Sequence, residues 1–194
     1  MNNYIIDEID IISEEYKKED FSKKTIKNKS ITNTKINDSN LTDSTYENVH
    51  FENVEFTKSD LSNIKFIDCS FRNIKFDNCK LLGTYFTNNR INNIIISNSL
   101  SKYLNIIDTK IKELEIEESN LSESNFYNVE LQKVKLNKVD FTSTEFYKTS
   151  LKNIDFSSSI IDGIKITPDC IKGMKVNTLQ ALDLAKILEI EIVE

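Results

Sequence analysis

A large apolar residue returns every five positions along most of the chain. In DFTSTEFYKTSLKNIDFSSSI, residues 140–160, almost everything between these large residues is small or polar. The large residues are Phe141, Phe146, Leu151 and Phe156. A helix side repeats about every 3.6 residues and a strand side every 2, so neither element alone gives this spacing. The same column extends from Phe21 to Val176 without an insertion, and of its thirty-two positions only Ser101 is polar.

Two flanking positions in each five-residue unit have their own composition. The position two before each large residue often holds a small or β-branched residue, such as Val49, Ser59, Cys69 or Thr84, and we name it the second inner position. The position two after each large residue holds Asn in twelve of thirty-one units, and it also holds all three glycines of the chain. Asn and Gly tolerate a positive φ, which a type II turn requires. Each unit is therefore predicted to be a short extended side followed by a corner.

Three units match a known repeat pattern as they stand: SDLSN at 59–63, SNLSE at 119–123 and SNFYN at 124–128. They resemble the pentapeptide-repeat family, whose units follow small–Asp/Asn–Leu/Phe–x–x. The resemblance covers about four-fifths of the chain. It implies an all-β fold, a right-handed quadrilateral β-helix with four units and twenty residues per coil, here with a short C-terminal α-helical cap.

Charges twenty residues apart test this coil length independently. In such a coil, residues at that offset stack one inter-strand spacing, about 4.8 Å, apart. Opposite charges are then favourable and like charges unfavourable. Within 21–176 there are fourteen opposite pairs at this offset and only two like pairs, Arg90/Lys110 and Lys152/Lys172. This bias favours twenty residues per coil.

The ends of the chain depart from the repeat, which predicts three segments: an N-terminal cap at 1–20, the repeat rod at 21–176 and a C-terminal segment at 177–194. Near the N-terminus Glu14 and Glu19 occupy the second inner position, where burying a charge is costly. Residues 1–20 are open between an irregular first coil and a helix, and we expect regular packing to start near Thr34. The helical alternative runs through Ile5, Ile9, Ile12 and Tyr16.

The C-terminal segment abandons the period at Asn177, and either Asn177 or Thr178 can cap a helix. Its apolar residues lie on more than one side of that helix, so one side can cover the last coil while another meets a partner. The helix is followed by an alternating, strand-like EIEIVE. Family members with such a tail are often dimers through it, so the resemblance implies a homodimer. The candidate interface consists of Leu179, Leu182, Leu184, Leu188, Ile190 and Ile192.

The chain offers little catalytic chemistry. It has one histidine, His50, at an outward position, and no Gly-rich phosphate loop. Cys69 and Cys79 fall at the second inner position and are interpreted as small core residues. We therefore expect no enzyme activity, no cofactor and no metal. The net charge of −6 argues against direct nucleic-acid binding.

The N-terminal residues, the apolar runs and the cysteines together predict where the protein is located. The N-terminus has no basic segment typical of a signal peptide, and no apolar run is long enough to span a membrane. The three cysteines form no CxxC pair and are interpreted as reduced thiols. The sequence predicts a cytoplasmic protein without a membrane segment.

The chain also looks like the quinolone-resistance members of the family in its size, its DFS start at 20–22, its uninterrupted rod and its tail. That resemblance implies binding to DNA gyrase or topoisomerase IV as a DNA mimic, with protection against quinolones or toxins. The charge distribution differs from a mimic, because the acidity lies at the ends. Residues 1–20 sum to −5 and 177–194 to −3, whereas the rod sums to +2. The alternative is a structural or protein-interaction scaffold with a partner other than a topoisomerase.

Two sets of residues are candidate partner-binding sites. The first is an acidic cluster made of Asp108, Glu113, Glu115, Glu117, Glu118 and Glu123. It is either a topoisomerase contact or the lower-numbered half of charge ladders to Lys133, Lys135 and Lys138, and cancellation by those lysines favours the ladder. The second is NSLSKYLN at 98–105, where Ser101 replaces a core residue beside Leu100 and Tyr103. We predict a local bulge or a change of side there, which is either a docking site or a tolerated irregularity.

Overall fold

The structure is a computed structural model that describes residues 10–187 and 189–190. These residues form a parallel β-solenoid of about eight turns. Phe66 pairs with Phe86, and Phe86 pairs with Ile106, so vertical neighbours differ by twenty residues. The predicted coil length is therefore confirmed.

Each coil has four faces. We identify each face by the first inward central residue that the structure describes on it. Face 1 begins at Phe21, face 2 at Ile26, face 3 at Ile11 and face 4 at Tyr16. On every face the central side chain points into the solenoid, and the residues before and after it point outward.

The strands group into two sheets, and face 1 is joined by isolated bridges. Face 2 is one sheet, made of β3 (Thr25–Lys27), β6 (Thr45–Glu47), β8 (Lys65–Ile67), β10 (Tyr85–Thr87), β12 (Asn105–Ile107), β15 (Asn125–Tyr127), β18 (Glu145–Tyr147) and β19 (Lys165–Ile166). Faces 3 and 4 share the other sheet, made of β1 (Ile11–Ile12), β2 (Glu15–Lys17), β4 (Ser30–Thr32), β5 (Lys35–Asn37), β7 (His50–Thr57), β9 (Ser70–Asp77), β11 (Arg90–Ser97), β13 (Lys110–Ile111), β14 (Leu114–Glu117), β16 (Glu130–Leu131) and β17 (Val134–Asn137). Face 1 carries single bridges from Asp20↔Asn40 to Asp140↔Ile160.

The corners use the predicted positive φ. In nearly every unit the residue two after the centre lies in the left-handed region, as in Asn28 at 56° and Asn153 at 66°. The stacked asparagines also bond to each other: Asn73 Nδ2 donates to Asn53 Oδ1 over 2.9 Å, and Asn93 Nδ2 donates to Asn73 Oδ1 over 3.1 Å. The corner pattern is therefore both a backbone preference and a ladder of side-chain amides.

The interior is filled by stacked aromatic and aliphatic columns. Phe66 and Phe86 stack at 4.9 Å between ring centroids, and Phe126 and Phe146 stack at 4.8 Å. The second inner position carries its own ladder, in which the Oγ of Ser99 accepts the amide of Cys79 over 3.0 Å. In many units the second inner position thus holds a small hydroxyl or thiol group that bonds the backbone, and in the others it holds an apolar residue such as Val49 or Ile74.

Ser101 does not cause the predicted bulge. The register continues through Leu100, which bridges Lys80 above and Asn120 below. Ser101 is fully buried in the face 1 column, and its Oγ has no hydrogen-bond partner among the described residues. The neighbouring second inner position holds a fully buried Leu104 in place of the usual small residue. The bulge prediction was wrong because the large and small side chains exchange places within one coil.

The helical alternative for residues 1–20 is wrong over residues 10–20. Ile11 pairs with Ile31, and Tyr16 pairs with Ile36, so this segment is a coil in the same register. Glu14 and Glu19 are exposed, which avoids the cost of burying their charges. The first fully buried second inner residue is Thr34, as predicted. Ile5 and Ile9 lie outside the described residues.

Two helices end the described chain. Helix α1 (Pro168–Ile171) is a single turn inside the last coil, and helix α2 (Thr178–Ile187) follows the rod. Asn177 caps α2 reciprocally: its Oδ1 accepts the amide of Gln180 over 3.0 Å, and Gln180 Oε1 accepts the amide of Asn177 over 2.9 Å. The predicted C-terminal helix and its cap are confirmed.

The backbone ladder is interrupted once inside the rod. On faces 3 and 4, residues 129–138 make no backbone hydrogen bond to residues 150–157, although both segments are described. We name this interruption the seam. Faces 1 and 2 remain bonded at the same level, for example from the Ile160 amide to Val139 O over 2.9 Å and from the Lys165 amide to Thr144 O over 2.9 Å.

Candidate protein-interaction surfaces

The acidic cluster is spread around one coil. Asp108 lies at the corner after face 2, Glu113 at the corner after face 3, and Glu123 at the corner after face 1. Only Glu115, Glu117 and the adjoining corner residue Glu118 share face 4. The structure therefore does not bring the six carboxylates together into one patch.

Each carboxylate of that cluster has a partner. Glu113 pairs with Lys133 at 2.8 Å, Glu115 with Lys135 at 3.5 Å and Glu118 with Lys138 at 2.9 Å. The side-chain hydrogen bonds from Lys133 and Lys138 hold the pKa of Glu113 and that of Glu118 below the usual value. The remaining contacts are Asn128 to Asp108 at 2.6 Å, Asn137 to Glu117 at 2.9 Å and Lys102 to Glu123 at 3.0 Å. The structure thus contains the charge ladders read from the sequence.

The same ladder contacts run along the rod from Lys27 to Lys138. Eight of the fourteen opposite pairs at offset twenty approach within 4.0 Å: Lys27/Glu47, Glu52/Arg72, Glu55/Lys75, Asp60/Lys80, Lys110/Glu130, Glu113/Lys133, Glu115/Lys135 and Glu118/Lys138. Acidic and basic residues therefore alternate vertically. Over the described residues of the rod, no face presents an unbroken column of carboxylates.

Face 3 instead has a local excess of positive charge. A shallow groove of about 380 Å³ contains both arginines of the chain, Arg72 and Arg90, together with Lys110 and Lys112. His50 lies at its edge, with Nδ1 2.8 Å from the Oγ of Ser70. The like-charged neighbours Arg90 and Lys110 stack directly in this groove.

Tyr103 belongs to a surface that sequence reasoning did not find. Tyr85, Tyr127 and Tyr147 point outward from face 2, and Tyr103 occupies the corner that leads into it; their exposed fractions lie between 36% and 49%. We name these four residues the tyrosine surface. Tyr127 and Tyr147 stack at 5.3 Å, with Lys148 Nζ within 5.7 Å of both rings.

The centre of that surface is uncharged. From β10 to β15 the outward residues of face 2 are Tyr, Thr, Asn, Ile, Asn and Tyr. The signal was present in the sequence, but it becomes visible only when outward positions are read every twenty residues. Leu100 is also exposed, at 39%, but it points outward from face 1.

The C-terminal candidates divide into two sets. Leu179, Leu182 and Ile190 are exposed at 74%, 43% and 54%. Leu184 is buried in the core of its own chain, so its place in the candidate interface is corrected: it covers the last coil. Leu188 and Ile192 lie outside the described residues.

Sequence reasoning missed Gln180 as the residue that attaches α2 to the rod. It is buried, and its Nε2 donates to Phe156 O over 2.9 Å and to Ser159 O over 2.7 Å. Nothing in the sequence indicated that a glutamine in this amphipathic helix would be buried and would bond the rod. The exposed side of α2 is therefore held in a fixed orientation on the last coil.

The cysteines are buried thiols. Cys69, Cys79 and Cys170 are unpaired and buried, as predicted for the first two. Burial raises the pKa of Cys69 and that of Cys79 to about 11. Within residues 10–187 and 189–190 no group of three or more His, Cys, Asp or Glu side chains is arranged to hold a metal ion. The described part of the chain contains no helix that is both long and apolar enough for a membrane crossing.

Comparisons with known proteins agree with this architecture. The model of the pentapeptide repeat region matches residues 69–140, and the model of eight pentapeptide repeats matches residues 34–73. Together they cover residues 34–140, more than half of the chain. No curated protein matches the chain in sequence.

Several solved structures align over most of the chain. A trypsin-treated form of QnrB1, a plasmid-mediated fluoroquinolone resistance protein, is 13% identical with a TM-score of 0.39, over 98% of this chain and 96% of that one. Full-length QnrB1 is 15% identical with a TM-score of 0.36, over 92% and 99%. HetL, involved in heterocyst differentiation regulation in the cyanobacterium Nostoc sp. strain PCC 7120, is 9% identical with a TM-score of 0.41, over 84% and 87%. From the repeat itself and the two family models, the chain belongs to the pentapeptide-repeat family.

Proposed function

We propose that the protein is a non-enzymatic, protein-binding rod that dimerises through the exposed side of α2. The observation that carries this proposal is the tyrosine surface, an uncharged centre on a flat sheet with ordered aromatic rings. Tyrosine is enriched in protein interfaces because its ring buries a large area while its hydroxyl still bonds water or a partner. A convex rod with such a surface favours binding of a protein over enclosure of a small substrate.

The partner class that the family resemblance suggests is a type II topoisomerase, DNA gyrase or topoisomerase IV. Binding as a DNA mimic needs a continuous negative field, and the ladders on this rod neutralise the carboxylates one by one. The charge distribution therefore favours contact through the tyrosine surface. A scaffold with a different protein partner would use the same surface.

A gyrase supercoiling assay, with and without a quinolone, tests the topoisomerase partner. We expect the wild-type rod to protect or inhibit gyrase at micromolar protein, and Y127S/Y147S to lose that effect. N92S/Q132S, which changes exposed polar residues on face 3, is the matched control. If the wild-type protein neither protects nor inhibits gyrase, the topoisomerase is rejected as the partner and the scaffold function remains.

Light scattering tests the dimer. We expect the full chain to scatter as two copies and L179S/L182S to scatter as one, because these leucines are exposed at 74% and 43%. D183N/K186Q alters an exposed ion pair on the same helix and serves as the control. A full chain that stays monomeric at high concentration contradicts the proposed dimer.

A further inference from the structure

The seam leaves backbone groups unpaired that are bonded one coil earlier. Between the two preceding coils, the Glu130 amide donates to Thr109 O over 3.0 Å and the Gln132 amide to Ile111 O over 2.9 Å. The Leu114 amide donates to Lys133 O over 3.3 Å and the Glu118 amide to Asn137 O over 2.9 Å. Twenty residues on, the amides of Ser150, Val134 and Lys138 lack the equivalent bonds, and the Lys152 amide donates only to Ser150 Oγ, over 3.4 Å. Such unpaired edges are templates for an added strand.

The seam also exposes apolar side chains that are buried elsewhere. Leu131, Val134 and Leu136 are partly exposed, whereas the corresponding Ile111, Leu114 and Ile116 of the coil above are buried. A small apolar void lies behind the three exposed residues. It is lined from the other side of the seam by Leu151, Ile154 and Phe156. A segment that docks in the seam must therefore present apolar residues inward.

The rim of the seam is mainly basic. Its outward lysines are Lys133, Lys135, Lys138 and Lys152, and its outward acids are Glu130 and Asp155. The Lys135/Asp155 pair that the twenty-residue offset predicted does not form an ion pair across the seam, whereas Lys135 contacts Glu115 above at 3.5 Å. An occupant with outward carboxylates would complete the charge ladder at this level.

We propose that the seam receives residues 190–194 of a second copy of the chain as an added strand. That segment, IEIVE, follows the turn that ends α2 at Glu189 and alternates apolar and acidic residues from Ile190 to Ile192. Strand β17 alternates in the same way, with Val134 and Leu136 inward and Lys135 outward. A strand placed beside β17 thus sets Ile against the apolar interior and Glu against the lysines of the rim.

The position of α2 indicates that the strand comes from the partner copy. The C-terminal half of α2 lies beside Ile161 and Ile164, where face 1 turns into face 2. The seam opens on faces 3 and 4, on the far side of the last coil. This inference rests on the dimer in the proposed function, and it adds which groups of one copy bind the other.

The bonds retained on faces 1 and 2 allow the seam to widen as a hinge. Seating a strand between both edges places them about two strand spacings, roughly 9.6 Å, apart. The ladder from Val139 to Thr144 remains bonded to residues 160–165 at that level. Residues 150–157 can therefore move away from β16 and β17, together with residues 170–175 that are bonded below them, while the rest of the coil stays attached.

Cross-linking in trans tests the proposal. Protein carrying K135C is mixed with protein carrying E191C and treated with a short bismaleimide, and we expect a cross-linked dimer. K75C mixed with E191C is the matched control, because Lys75 lies in the same outward column where the ladder is intact. Equal cross-linking of both mixtures, or of neither, overturns the proposal. The native thiols are buried and should not compete.

Amide exchange on the unmodified protein gives a second readout. We expect the amides of Val134, Lys138, Ser150 and Lys152 to become protected as protein concentration rises through the dimer transition, while the amides of Leu114 and Glu118 stay protected throughout. A dimer by light scattering in which those four amides exchange quickly overturns the strand inference alone. A monomer at every concentration overturns the inference and the proposed dimer together.

Discussion

At the residue scale, the side chain at the second inner position decides how the backbone groups of that corner are hydrogen-bonded. Small hydroxyl and thiol side chains fit there and bond the backbone on both sides. Ser99 Oγ donates to Ser97 O over 2.7 Å and accepts the Cys79 amide over 3.0 Å. Ser101, only two residues on, points into the central column and has no partner. The same residue type is thus stabilising at one inner position and costly at the other.

S101A should raise the free energy of unfolding by about 1 kcal/mol, because it removes a buried hydroxyl without a partner. S99A should lower it by about 1–3 kcal/mol, because the Cys79 amide loses its acceptor. Urea denaturation of the two variants makes the comparison. If both alanine variants destabilise the protein equally, the Ser101 hydroxyl is bonded in solution.

The buried thiols predict a fall of stability in alkali. Burial raises the pKa of Cys79 from 9.0 to about 11, so between these values the unfolded thiol loses its proton while the folded thiol keeps it. The folded state then binds more protons, and the free energy of unfolding decreases as pH rises from about 9 to 11. The full shift corresponds to roughly 2–3 kcal/mol.

The variant C79S isolates this contribution. Serine occupies the equivalent position above and below, at Ser59 and Ser99, so the substitution should change stability at neutral pH by less than about 1 kcal/mol. Urea denaturation from pH 8 to 11 should show a smaller loss for C79S than for the wild type. Parallel curves would contradict the assigned role of this thiol.

At the element scale, helix α2 is fixed by one polar side chain. Q180A should lower the free energy of unfolding by about 2–3 kcal/mol, because the carbonyls of Phe156 and Ser159 lose their donor and Asn177 loses its reciprocal cap. Q132A, at an exposed position on face 3, is the control. Equal stability of the two variants in urea would show that α2 is held by Leu184 alone.

The elements also show which sequence signals were sufficient. The five-residue column from Phe21 to Val176 predicted the coils of the rod, because nearly all inward positions must be apolar to fill a narrow tube. Helix α1 was missed, although Pro168 occupies a corner where nearly all other units adopt a positive φ. Proline fixes φ near −65°, so that corner must be built differently, and a helical turn replaces it.

The surfaces were less predictable than the coils. The acidic cluster was correctly interpreted as ladder contacts, because vertical neighbours follow directly from the twenty-residue offset. The tyrosine surface depends on which outward positions share a face, and the five-residue period alone does not distinguish faces. The seam has no signal at all, since Leu151 and Phe156 keep the period through it.

At the scale of the whole molecule, the cost of a core truncation should depend on height along the rod. F86A should lower the free energy of unfolding by about 3–5 kcal/mol, because Phe86 is fully buried and stacked on Phe66 at 4.9 Å. F21A should cost less, because Phe21 is only partly buried in the first coils. Urea denaturation of both variants tests this gradient, and equal costs would contradict it.

Because vertical neighbours differ by twenty residues, the position of a residue in the chain sets both its height along the rod and the face on which it lies. Deleting twenty residues from the middle, such as 41–60, would shorten the rod by about 4.8 Å and leave every later side chain on its own face. Deleting five residues between Tyr85 and Tyr127 would turn everything downstream by a quarter, so that Tyr127 and Tyr147 would no longer share a face with Tyr85. A pentapeptide rod can thus change its length by four units at a time and keep the same side chains together on each face. Loss of a single unit keeps the core but changes which side chains share a face.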